Sequence, residues 1–560
     1  MRKLFISLFV LVLTLAGVAQ AKPVEELTAL ANYFPQDTPV FASIRTDDGF
    51  AETLNGVIAQ IDRNTGGDLL PDDFIIPSIK DLISSFLYVD MSWIGETAAI
   101  GVIDIAEETA VIAFEIGDPT GIDAFIEDTF YGMADVTEGD GYTLYSNDYS
   151  GVLVLDDVVL FGNANLETFI NPEATLADSD AFTAAFGLLP EDSYSIAMYV
   201  NITAMNNASM MDVSGMNEDM IDLINSMQSG GSAALGVTIL EGRDLVIDMV
   251  TADQTTPFGL TLPTVNPINL DFAGNFPGNT QIYAQGTNLG GTTLYLFEAL
   301  DMMGPILQDV ITIAAEMDNA DTFGLDVSTI NFGGLTKNAI TPIFAGFTGL
   351  NLEDDVLSWM TGDYAMGFGL IEVPDPIGFT LDGAFVVEAT DADAASNVVS
   401  SLGHAAELYG LPGVIIEDNM IVLDELLPSI LVQADLPAEV VYGSPALDML
   451  IASNDAVFAI GSRPSVSFAL EPGDFTLADN GAFQHASSLF LPDTQMIFYI
   501  GTEGFVQALP ALETLGAAPY EIEQLQLMVS QVESLSFSSV MLDETSALAR
   551  MTLTIPTGAE

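Results

Sequence analysis

The sequence predicts an α+β fold made twice: two tandem copies of a largely antiparallel sheet, covered by helices on one face. Three observations predict it. The two tryptophans, Trp93 and Trp359, sit in matching segments, Ser92-Trp93-Ile94-Gly95-Glu96 and Ser358-Trp359-Met360-Thr361-Gly362-Asp363, each followed by an alternating small and apolar run. The stretch LADSDAF, Leu176 to Phe182, returns as LADNGAF, Leu477 to Phe483. Short apolar runs joined by tight polar connections read as hairpins, and the i, i+4 patterns between them read as covering helices.

In the first copy, Pro23 lies near the start of a helix with Glu25 and Glu26 in its first turn and Leu27, Leu30 and Ala31 on one face. Phe34-Pro35-Gln36-Asp37-Thr38 ends it, and Val40 to Thr46 is a strand. Asp47 caps a second helix, whose apolar face is Phe50, Leu54, Val57, Ile58 and Ile61. Beyond Trp93 come two strands, Glu96 to Asp104 and Thr109 to Gly117, joined at Ala106-Glu107-Glu108. Asp118-Pro119 opens a helix carrying Ile122, Phe125 and Ile126. Strands follow at Tyr142 to Ser146, Gly151 to Leu155 and Val158 to Gly162. LADSDAFTAAF is a short helix, followed by a strand at Ser195 to Val200 and a methionine-rich helical stretch. Strands Ala233 to Leu240 and Leu245 to Thr251 close the copy across Glu241-Gly242-Arg243-Asp244.

The second copy keeps this order. Pro277 follows Pro35 by 242 residues, Trp359 follows Trp93 by 266, Leu477 follows Leu176 by 301 and Asp543 follows Glu241 by 302. The copies therefore differ by insertions before and after the tryptophan and run nearly in step beyond Leu477. A smaller motif, proline before an Asp/Asn-Thr/Ser turn and a strand, begins at Pro35, Pro190, Pro277 and Pro492. Proline stops the preceding element and the short polar side chain bonds nearby backbone, so the motif punctuates the fold. Residues 22–252 and 270–560 form the two repeat domains, and the proline-bearing segment 253–269 is the linker.

Residues 1–21 read as a signal peptide: Arg2 and Lys3, an apolar run from Leu4 to Val18, and the cleavage site Ala19-Gln20-Ala21. No later run of 18 or more apolar residues follows, so no transmembrane span is expected after signal removal. The expected location is the periplasm, the cell surface or the exterior. The chain has no cysteine, so stability rests on its core rather than on disulfides. It carries 80 acidic and 10 basic residues, yet 49% of it is hydrophobic. That combination describes an acidic skin on an apolar core, which repels nucleic acid and attracts divalent cations.

The L/F-P-x-D-T opening, the segment Gly349 to Trp359 (GLNLEDDVLSW), the W-x-G-E strand start and the LADSDAF helix before L-P-x-D-S resemble the exported bacterial proteins of domain-of-unknown-function family 3352. Both halves show these features. The resemblance carries no activity and assigns no catalytic residue.

His404 and His485 are the two histidines, and a Ser-His-Asp triad would require one of them. An alanine (Ala184 or Ala185) takes the place of His485 in the first copy, and no G-x-S-x-G, H-E-x-x-H or P-loop motif is present. The metal candidate is a calcium loop at Asp62, Asn64 and Asp68, with Asp72 and Asp73 beyond: alternate oxygen ligands with glycine at the turn suit calcium. Seven of the 22 methionines fall between Met198 and Met227, and Met216, Met220 and Met227 share a helical face with Leu223 and Ile224, a candidate apolar-ligand surface. The expected function is a non-catalytic exported protein that binds, or builds surface structure, with a cell-surface protein or an apolar ligand as partner. A carrier of an apolar or lipid ligand is the alternative, and a carboxylate-dependent hydrolase the second alternative.

Overall fold

The computed structural model describes residues 21–64, 75, 77–209, 230–254, 260, 262–302, 334, 336–372, 379–410, 413–417, 419–424, 448–509 and 518–557. The chain divides into two compact units, Met1–Pro257 together with Met541–Glu560, and Phe258–Val540.

The first repeat contributes β1 (Val40–Arg45), β2 (Ile94–Asp104), β3 (Thr109–Ile116), β4 (Asp135–Gly139), β5 (Tyr142–Ser146), β6 (Gly151–Val154), β7 (Val158–Gly162), β8 (Ile196–Asn201), β9 (Ser232–Leu240) and β10 (Asp244–Ala252). The second contributes β11 (Ile282–Thr287), β12 (Asp363–Glu372), β13 (Phe379–Glu388), β14 (Val414–Glu417), β15 (Met420–Leu423), β16 (Met449–Ser453), β17 (Val457–Ser462), β18 (Met496–Gly501), β19 (Ser534–Met541) and β20 (Ala547–Thr554). Each strand of the second repeat thus corresponds to the one ten numbers earlier.

In the first unit the hydrogen-bonded order is β4-β5-β6-β7-β3-β2-β1-β8-β9-β10-β20, antiparallel throughout. In the second it is β14-β15-β16-β17-β13-β12-β11-β18-β19, again antiparallel. The two units share this strand order, and helices with antiparallel sheet agree with the α+β class.

Two expectations need correction. The helical cover lies on both faces of each sheet. Ala99, Ala113, Leu160 and Tyr199 pack with Leu27, Leu30, Phe182 and Phe186, while their strand neighbours Ala98, Phe114 and Val159 pack with Trp93, Ile122 and Phe125. In the second unit Ala365, Val386 and Ala459 pack with Phe276, Val466 and Phe483, and Val387 and Phe458 pack with Trp359, Val398 and Val399. Strands buried on both faces lose the polar-out alternation that marks a half-covered sheet, so their runs of small and apolar residues were the signal. The other correction is the division of the chain. Residues 270–560 do not stay together, because Met541–Glu560 belongs to the first unit. Part of the expected linker 253–269 is anchored in the second unit, where Thr287 Oγ1 donates to the Asn266 carbonyl and the Asn269 side chain caps the turn Leu270–Asn275.

The repeated sequence motifs dock on one another inside each unit. Pro35 bridges Thr175, and Pro277 bridges Thr476. The Leu176 amide donates to the Phe34 carbonyl at 2.8 Å, and that of Leu477 to the Phe276 carbonyl at 2.9 Å. The Asp178 carboxylate accepts from the backbone and hydroxyl of Thr175, and Asp479 accepts likewise from Thr476, so both LAD turns are closed by capping boxes. Beside each docked pair a ring packs against a strand glycine, Phe34 against Gly101 and Phe276 against Gly367. The motifs hold the chain's crossings, as their turn chemistry predicts.

Candidate functional site

The first unit has an open cleft of about 340 Å³ beside the helix Ile122–Phe130, lined by Ile126, Phe130, Ala134, Val136 and Tyr145, with the exposed carboxylates of Asp123 and Glu127. Its walls follow from local sequence. Asp118 accepts from the Thr120 amide and caps the turn that starts the helix. That turn brings Gly121 against Trp93, where a Cβ would stand 3.0 Å from the Trp93 Cβ. Phe125 then packs on Trp93 at a ring separation of 5.3 Å and anchors the inner face. The helix stops at Tyr131, which is left-handed with φ 51°, followed by Gly132 with φ 72°. The chain reverses there into β4, and Val136 lies opposite Tyr145 in the β4–β5 ladder. Both walls of the cleft are thereby set.

The second repeat packs the same place with a longer helix. Its helix Ala392–Tyr409 has 18 residues against nine, and carries Gly403 under the Ile416 side chain, 3.3 Å from where a Cβ would stand. Val414 lies opposite Leu423, the counterparts of Val136 and Tyr145, and both pack against the helix's apolar cluster. By contrast Val136 is 54% exposed, and its neighbours Tyr131 and Met133 are exposed too. Among the described residues, Val414 is half-buried against the second repeat's helix where Val136 of the first is exposed.

Two buried polar networks also depart from a plain core. In the first unit Arg550 Nε donates to Asp248 Oδ1 at 2.7 Å, and its Nη2 donates to Asp248 Oδ2 at 3.0 Å and to Glu191 Oε1 at 2.6 Å. The Tyr194 hydroxyl donates to Asp248 Oδ2 at 2.8 Å and accepts from the Glu191 amide at 3.1 Å. Burial, then the Asp248 charge, pushes the Tyr194 phenol well above its ordinary value. Burial pulls the Arg550 guanidinium down, but the Asp248 and Glu191 carboxylates outweigh it and hold it above its ordinary range. In the second unit Gln285 Nε2 donates to Asp363 Oδ1 at 2.8 Å, the Asn269 amide donates to the same oxygen, and the Tyr283 hydroxyl donates to Gln285 Oε1. Burial raises the Asp363 carboxyl, the bonds from Gln285 and Asn269 lower it, and the Glu388 charge raises it again, for a net rise. Sequence reasoning missed Gln285, Glu191 and Arg550. Only the scarcity of arginine in so acidic a chain could have singled out Arg550.

Of the residues expected to form sites, only Asp62, Asn64 and the two histidines lie among the described residues. Asp62 lies in the last turn of the helix Asp48–Asn64 and Asn64 ends it, while Asp68, Asp72 and Asp73 lie outside the described residues. Met216, Met220 and Met227 also lie outside them. His404 is exposed, 3.8 Å from Glu407, and His485 is on the helix Gly481–Ser488; the two helices pack on opposite faces of the second sheet. Among the described residues, no cluster of three or more His, Cys, Asp or Glu is placed to hold a metal ion, and no helix is long and apolar enough to cross a membrane.

Among curated proteins, none matches the chain. Crystal form IV of TP0453 is similar at 11% identity and a TM-score of 0.23, over 42% of this chain and 81% of that one. Crystal form I of TP0453 gives 12% identity and a TM-score of 0.21, over 40% and 77%. At these values the likeness identifies no common fold. The family described as "Protein of unknown function (DUF3352)" matches residues 91–555, most of the chain, and the chain belongs to that family.

Proposed function

We propose that the protein is an exported, non-catalytic binding protein whose first repeat takes an apolar group bearing a positive charge. The observation that supports this reading is the open cleft beside Ile122–Phe130, with apolar walls and two carboxylates at its edge. Its volume is at the small end of ligand pockets, enough for an alkyl chain segment or one large side chain. Apolar walls favour that group by the hydrophobic effect. Asp123 and Glu127, within a chain of formal charge −70, favour a cationic neighbour and disfavour an anionic one. A basic, aliphatic segment of a cell-surface protein has this chemistry, and so does a cationic amphiphile.

The test is calorimetric titration with dodecyltrimethylammonium and, separately, dodecyl sulfate, both below their micellar concentrations. The unmodified protein should bind the ammonium saturably and the sulfate more weakly. Ala134→Trp, which fills the cleft, should abolish ammonium binding. No saturable binding, or equal preference for the sulfate, would refute the proposal. Binding that survives Ala134→Trp would favour the carrier alternative, with the ligand at Met216, Met220 and Met227.

A further inference from the structure

β10 and β20 are equivalent strands of the two repeats, offset by 302 residues, and in the first unit they pair with each other. Their register has a consequence. Asp248 lies directly opposite Arg550, and Arg550 is the repeat counterpart of Asp248 itself. The remaining rungs are arranged about this one: Ile247 opposite Met551 and Met249 opposite Ala549, Val246 opposite Thr552 and Val250 opposite Leu548. The ladder therefore has a local dyad through position 248/550, and that rung alone carries opposite charges.

A ladder with this symmetry could in principle be made from two copies of the same strand. β10 is paired with β9 on its other side, so without β20 it would be a free sheet edge, which invites pairing with another chain. If β10 paired with β10 of a second chain in this register, Val246 would face Val250, Ile247 would face Met249 and Leu245 would face Thr251. All are compatible. Asp248 would face Asp248, with Glu191 beside each. If β20 paired with β20, Arg550 would face Arg550. A buried like-charge pair is far costlier than an apolar mismatch.

We infer that the Asp248–Arg550 pair selects the partner strand: it directs the closing strand of the second repeat onto β10 of the first and rejects same-strand pairing between chains. Glu191 strengthens the choice. It occupies the spacer position of Leu189-Pro190-Glu191-Asp192-Ser193, which Leu491-Pro492-Asp493-Thr494 lacks, and it adds a second carboxylate on the first-repeat side only. The pair is buried on both sides, with Asp248 fully covered and the Arg550 side chain 8% exposed, so solvent screens it little.

The test uses the full mature chain and four variants: Arg550→Asp, Asp248→Arg, the exchange of both, and Asp248→Leu with Arg550→Leu. Each is unfolded in urea, refolded over a hundredfold concentration range and sized by light scattering. Each single reversal should lower the urea midpoint, and the exchange should recover most of that loss. The double leucine variant should fold, but should form concentration-dependent dimers that the unmodified chain does not form. An exchange no better than the two reversals combined would overturn the inference. So would a double leucine variant whose sizes match those of the unmodified chain throughout, an outcome that remains readable if the reversals fail to fold.

Discussion

Adding a single methyl group at Gly101 tests the docked-motif account of the fold. A Cβ there would stand 2.5 Å from Cδ1 and Cε1 of Phe34 and 3.4 Å from the Thr38 methyl. Carbon atoms prefer separations of about 3.5–4.0 Å, so the ring must retreat by about 1 Å. It has no room, because Phe34 is fully buried and packs edge-on against Phe41 at 5.4 Å and Phe169 at 6.2 Å. Overpacking of this kind costs about 1–3 kcal/mol. Alanine in place of glycine in a strand interior returns about 0.5–1 kcal/mol. The clash wins at the middle of these ranges, and Gly101→Ala should destabilise the first unit by roughly 1 kcal/mol. Gly367→Ala, under Phe276, should do the same to the second unit. The tryptophans supply the assay, one per unit: fluorescence-monitored urea unfolding in Trp359→Phe reports the first unit, and in Trp93→Phe the second. Phe34→Leu should relieve the Gly101→Ala cost, so the double variant should be more stable than the summed single effects predict. The reasoning is refuted if Gly101→Ala changes stability by less than about 0.5 kcal/mol, the range of surface substitutions, or if the cycle shows no coupling.

Three further outcomes are expected. Asp363→Asn keeps an acceptor for Gln285 and Asn269 but removes a buried charge beside Glu388. Because the folded-state value of Asp363 is raised, its contribution to stability falls as pH rises through that value, so the urea midpoint should increase at pH 7 and the gain should vanish near pH 4; an equal loss at both would contradict this. Thr175→Ala and Thr476→Ala break the capping boxes. The amide bonds, then the hydroxyls, hold Asp178 and Asp479 below the usual carboxylate range, so both variants should lower the midpoint at neutral pH, with the penalty shrinking in acid as the carboxylates protonate; a penalty that does not change with pH would count against the caps. Proteolytic cleavage within 253–269 should leave two pieces that co-migrate under native conditions, because β20 completes the sheet of the first unit; separation without denaturant would show that the pairing is not tight.

The sequence by itself determined the order of most strands, the recurrence of their motifs and the turns between them. Those features are local. A capping box spans four residues, Thr175 to Asp178, a hairpin turn about two to four, and the alternation in Ile94–Asp104 is visible without its neighbours. One strand escaped for a local reason as well: Asp135–Gly139 is exposed along its whole length and has no apolar run, and only its pairing with Tyr142–Ser146 makes it a strand. What the tertiary structure decided is where distant pieces meet. Leu176 seals Phe34 from 142 residues away, and Arg550 finds Asp248 across 302. Read locally, Ala547 to Thr554 is an ordinary strand, and only the Asp248 placed opposite gives its Arg550 a meaning. The choice rests on which side chain faces which across the ladder, and that is settled only when the register forms. The cleft beside Ile122–Phe130 has the same origin: a helix that stops nine residues after it starts leaves a gap whose far wall is a strand pair folded back from downstream.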